Sequence, residues 1–138
     1  MHPKTVALQA RTQKFAADVI KLCDTLPKDT GTQRIAAQLI DSSGATDSNY
    51  RAACRGRSKA EFIAKLGIAV EEADESKGWL QLLVASDRCS IEQTRDLIQE
   101  ADELISIFVA SRKTAERRKR QHDLEQKQLR GTSHRRPK

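Results

Sequence analysis

Ser90-Ile91-Glu92-Gln93-Thr94-Arg95-Asp96-Leu97-Ile98-Gln99-Glu100-Ala101-Asp102-Glu103-Leu104-Ile105-Ser106-Ile107-Phe108 is the stretch that decides the fold class. Ser90 and Gln93 stand three apart, as in a capping box, where a hydroxyl and a side-chain amide satisfy the free N–H groups of a helix start. Leu97, Ile98, Ala101, Leu104, Ile105 and Phe108 then recur at spacings of three and four, with Arg95, Gln99, Asp102 and Glu103 on the opposite side. This spacing predicts an amphipathic helix with one core-facing stripe.

The same reading extends towards the N-terminus. Gly56 supplies a stop, and Ser58-Lys59-Ala60-Glu61 a second capping box, so a helix is expected from there to about residue 86, with Phe62, Ile63, Leu66, Val70, Ala73, Leu80 and Val84 on its inner face. A further helix is expected over about residues 32–54. Ile35, Leu39, Tyr50 and Ala53 align on it, while Ser42, Ser43 and Thr46 fill the middle of the same stripe. Small polar residues there either let two helices approach closely or leave room for a water, and Asp41-Ser42-Ser43-Gly44 could mark a kink; one helix with a weak centre is the favoured reading. The first helix is expected over about residues 6–26, on Leu8, Phe15, Val19, Leu22, Cys23 and Leu26, and ends at Pro27. Four long amphipathic helices with short connections and no strand-like alternation give an all-α fold, an antiparallel up-down four-helix bundle.

A chain of 138 residues accommodates one such bundle plus a tail. Aromatic residues are 4% of the total, so the core rests on Leu, Ile, Val and Ala. No apolar run approaches the ~20 residues of a membrane span. The three cysteines, Cys23, Cys54 and Cys89, have no metal or redox spacing, and no secretory leader is evident, which points to a reducing cytoplasm.

The net charge of +6 hides an asymmetry. Residues 1–111 hold 14 Lys and Arg against 16 Asp and Glu, whereas residues 112–138 hold 11 against 3. The division expected is therefore a bundle over 1–111 and a basic tail over 112–138, helical in part through Glu116 with Arg120 and Asp123 with Lys127, and disordered from Gly131 onward.

No catalytic constellation emerges from the sequence. His2, His122 and His134 fall outside the expected bundle, Glu72 and Glu75 lack a histidine to complete a metal site, and Cys23 and Cys54 fit a core better than a nucleophile. Glycine-rich phosphate loops are missing as well, so no enzyme activity, metal or cofactor is expected.

Two surface features are less ordinary. Ile68, Trp79 and Leu82 fall about a third of a turn away from the inner face of the third helix, beside Glu72 and Glu75, and form a second apolar face suited to an oligomer interface. The plainer reading is a helix buried all round. Arg51, Arg55, Arg57 and Lys59 cluster at the turn before that helix, where cations also complement a helix C-terminus. Together with Arg112, Lys113, Arg117, Arg118, Lys119 and Arg120 they form a candidate phosphate-binding surface. Aromatics do not interleave with these charges, so little base stacking is expected.

The stretch Asn49-Tyr50-Arg51-Ala52-Ala53-Cys54-Arg55-Gly56-Arg57-Ser58-Lys59-Ala60-Glu61-Phe62-Ile63-Ala64-Lys65-Leu66, with Glu71-Glu72-Ala73-Asp74-Glu75-Ser76 and Trp79-Leu80, resembles the four-helix bundle proteins encoded in intervening sequences of bacterial 23S rRNA genes. The resemblance spans roughly residues 6–111 in layout. It implies a ring-like homopentamer. A related branch, the accessory variability determinant of diversity-generating retroelements, implies nucleic-acid binding and a reverse-transcriptase partner. Asn49, Arg55, Ser58, Phe62, Glu72, Glu75 and Trp79 match as structural or interface positions. Ala52 departs from a frequent Glu, and Gly78 from a frequent aromatic before the Trp; a helical glycine costs about 1 kcal/mol relative to alanine.

The leading expectation is thus a non-enzymatic, oligomeric bundle that binds RNA or DNA with little sequence specificity, as an accessory to a reverse transcriptase or to rRNA. The alternative is a protein-interaction scaffold with no nucleic-acid role.

Overall fold

Each helix starts where a side chain can take up its free N–H groups. The His2 imidazole accepts from the Lys4 N–H at 3.0 Å ahead of Pro3, whose fixed φ suits a first helical turn, and α1 runs Pro3–Asp24. Asp29 accepts from the Thr32 N–H at 3.1 Å and opens α2, Thr30–Cys54, two residues earlier than the hydrophobic pattern implies. Ser58 accepts from Glu61 and opens α3, Lys59–Ala85. The Glu61 carboxylate reaches back past the cap to the Arg57 N–H at 2.7 Å. At Ser90 the box is reciprocal: the hydroxyl accepts from the Gln93 N–H at 3.1 Å, and the Gln93 amide oxygen accepts from the Ser90 N–H at 2.9 Å. It opens α4, Ile91–Ser133.

This computed structural model describes residues 1–133, and among them there are four helices and no strand. The chain folds as an all-α four-helix bundle. α3 packs along both α2 and α4, α1 packs on α2, and α1 touches α4 only lightly. Arg11 closes that open seam, its Nε donating to Glu100 at 3.1 Å and its Nη2 to Glu103 at 2.9 Å.

Phe15, Leu39, Leu66, Leu80, Leu83, Leu104 and Phe108 are fully buried and form the core. Tyr50 stacks on Phe108 with ring centroids 5.3 Å apart. α2 is continuous through Ser42-Ser43-Gly44, and its polar centre is a close helix approach: the Ser42 and Ser76 hydroxyls meet at 2.8 Å between α2 and α3. The inner face of α3 is rotated from the expected one. Ala69, Ser76 and Leu83 are buried, while Ile63, Val70 and Val84 are half-buried.

The largest difference lies in α4. α4 runs on through Ser111 into the segment expected to be helical in part; residues 131–133, expected to be disordered, continue the helix, and residues 134–138, also expected to be disordered, lie outside the described residues. Side chains of α4 remain half-buried as far as Lys119, and every described one from Arg120 on is exposed. The expected pairings Glu116 with Arg120 and Asp123 with Lys127 are replaced by Arg112 to Glu116 at 3.2 Å and Lys119 to Asp123 at 2.9 Å, so each carboxylate takes the cation one turn before it.

Candidate nucleic-acid interface

The antiparallel pairing of α3 and α4 brings the two groups of predicted cations to one end of the bundle. Lys77 pairs with Asp102 at 2.7 Å, Gly67 faces Arg112, and Lys59 shares a shallow cleft with Arg118, floored by Phe62, Ala115 and Thr114. Arg55 caps α2 and Arg57 precedes the Ser58 cap; both are exposed on the turn that leads into Lys59. Lys119 holds the Asp123 carboxyl below its ordinary range, and the field of Lys59 from α3 adds to the effect.

The cations differ in what they do. Arg51 is half-buried and pairs with Asp47, whose buried carboxylate also accepts from the Thr12 hydroxyl at 2.8 Å. Its charge is therefore tied into the α1–α2 contact. Arg112 and Lys119 are engaged by Glu116 and Asp123. Lys113, Arg117, Arg118 and Arg120 are exposed and make no ion pair among the described residues. Lys127, absent from the predicted set, belongs with them because α4 continues past it.

The acidic half of α4 presents a contrast. Glu100 and Glu103 are met by Arg11, and Asp102 by Lys77, so much of its negative charge is compensated by other helices. Positive charge is left uncompensated at the opposite end.

The predicted oligomer face is a straight stripe on α3. Ile68 is 37% and Leu82 43% exposed, Trp79 is half-buried with its indole N–H donating to Glu75 at 3.2 Å, and Glu72 lies between them. Burial, and then the neighbouring Glu75 and Glu71, push the Glu72 carboxyl above its ordinary range. Among the described residues, no three His, Cys, Asp or Glu side chains gather as a metal site, and no helix is long and apolar enough to cross a membrane.

The pattern of the 23S rRNA-intervening sequence protein family matches residues 4–110, most of the chain and all of its packed helices up to the end of the core. The chain belongs to this family. A solved relative is the crystal structure of a protein of unknown function from the S23 ribosomal protein family of Bacteroides thetaiotaomicron, 26% identical with a TM-score of 0.74; the match covers 80% of this chain and 98% of that one. No curated protein matches it. Residues 111–138 lie beyond the family match, so the unpaired cations of α4 sit outside the matched bundle.

Proposed function

We propose that this family member is a non-catalytic, oligomeric bundle that binds nucleic acid through the continuation of α4 and the turn that carries Arg55, Arg57 and Lys59. The observation that carries the reading is the charge division. Up to Ser111 the chain has two more acidic than basic side chains, and beyond it eight more basic than acidic ones. Several cations on one rigid helix suit a phosphate backbone, where release of condensed counterions drives association. Phosphate contacts position a protein without reading sequence, which fits a surface without exposed aromatics. The family's description, which refers to an intervening sequence of 23S rRNA, favours RNA. The full chain should bind structured RNA and DNA at low salt, with affinity that falls steeply as salt rises; absent or salt-insensitive binding would contradict the reading.

A second reading has its own observation. Ile68, Trp79 and Leu82 form an apolar strip bordered by carboxylates, which suits self-association or a protein partner with arginines to offer. Trp79→Ala should lower the mass seen by light scattering if that strip is the contact between subunits. An unchanged mass would remove it from that role.

A further inference from the structure

We infer that the part of α4 that contacts nucleic acid is a single line of four cations, Lys113, Arg117, Arg120 and Lys127, and that its ligand is the phosphate backbone of a duplex. The inference rests on the nucleic-acid reading above and assigns its contact residues. These positions are four, three and seven residues apart, so in an α-helix they fall on one side over about 21 Å at ~1.5 Å per residue. That side is roughly opposite the edge that Leu104, Phe108 and Ala115 turn towards the bundle. All four are exposed, and none has an ion-pair partner among the described residues. Arg112 and Lys119 occupy the neighbouring edge with their carboxylates, and Arg118 turns to the Lys59 cleft on α3. Helix geometry thus sorts a run that reads as uniformly basic in sequence into one free line, two cations engaged by carboxylates, and Arg118, which lies without an ion pair beside Lys59.

Three properties of the line select a duplex. It is held by one continuous helix whose root is packed on α3, so its charges keep a regular spacing, as a phosphate array requires. It contains no ring to stack on unpaired bases; the one imidazole of the described extension, His122, is on the other side. The remaining member of the line, Leu124, is 61% exposed and too isolated to form an apolar docking stripe.

The test compares full-length chains by titration against short DNA and RNA duplexes and against single strands over a range of salt. Neutralising the line (K113Q, R117Q, R120Q and K127Q together) should reduce the slope of log K against log salt by about 3 to 4, roughly one per cation removed. R112Q with K119Q should change it by less than about 1, because those charges already have carboxylate partners. Exchanging Lys and Arg along the line should preserve the slope, and circular dichroism should show that every variant retains its helices. If the wild-type chain binds but the line variant keeps its slope, the inference fails while the nucleic-acid reading stands. Tighter binding to single strands overturns the duplex assignment. Failure of the wild-type chain to bind any of these probes overturns both, and leaves an acidic protein surface as the partner to seek.

Discussion

Arg112 of α4 lies over Gly67 of α3, so close that a methyl group at Gly67 would sit 3.3 Å from the guanidinium carbon. The contact comes just past the last core residue of α4, Phe108, and it fastens the root of the extension to the bundle. Arg112 therefore has a packing role as well as a charge, and its partner Glu116 keeps the guanidinium turned along α4.

The contact separates two glycines on the same helix. Gly78 has open space where a Cβ would be, so Gly78→Ala should stabilise the bundle by about 1 kcal/mol, the ordinary helix-interior gain. Gly67→Ala should gain less, because the Arg112 guanidinium must shift. Thermal unfolding of both variants checks the order; a larger gain at Gly67 would show that Arg112 is not held there.

The Ser42–Ser76 contact fixes the approach of α2 to α3. Each hydroxyl also faces a carbonyl of its own helix, Leu39 for Ser42 at 3.2 Å and Glu72 for Ser76 at 2.9 Å. Ser76→Ala should cost about 1 kcal/mol, whereas Ser76→Val, which overfills the seam, should cost about 1 to 3 kcal/mol. Denaturant unfolding decides it, and equal losses in the two variants would mean that the seam has slack.

Much of this architecture is legible in sequence because caps and apolar periodicity act locally. Ser58 and Ser90 mark their helix starts, and Pro27 the end of the first helix region, for that reason. The rotation of α3 is harder to read, since Ala69 and Ser76 contribute little to an apolar pattern yet occupy the tightest contacts. The extension of α4 is invisible to periodicity: its apolar stripe stops, while Glu, Lys, Arg and Gln, with pairs at i and i+4, sustain the helix without a core. Arg51 reads as a surface cation until Asp47 is seen to be buried. Asp47 follows Ser43 by four and precedes Tyr50 by three, which puts it on the inner face, so the signal was present but weak for a charged residue.

Glu72 supplies a pH test. Burial raises its carboxyl above the unfolded value of ~4.3, so the folded state holds the proton more tightly and its ionisation opposes folding. This contribution favours the fold below the unfolded value and is lost as pH rises through the folded one. Glu72→Gln should raise the melting temperature at neutral pH and flatten the profile just above the ordinary carboxylate range. A lower melting temperature at neutral pH would show that the ionised form is stabilised.

The cysteines should differ in reactivity. Cys23 and Cys89 are buried, and burial pushes the Cys23 thiol up to about 11, so little thiolate is exposed at neutral pH; Cys54 is half-buried. A thiol reagent should label Cys54 first in the native chain, and the other two only on unfolding. Early labelling of Cys23 would contradict the packing of α1 against α2.

On the nucleic-acid reading, residues beyond Ser111 turn a bundle of mildly acidic charge into a phosphate-binding protein. The most direct measurement is the salt dependence of duplex binding by the full chain and by a chain ending at Ser111, a length comparable to the solved relative that the match covers almost completely. The full chain should bind steeply and salt-sensitively, and truncation should remove both affinity and slope. Equal slopes for the two chains would contradict it and place the binding surface on the shared bundle.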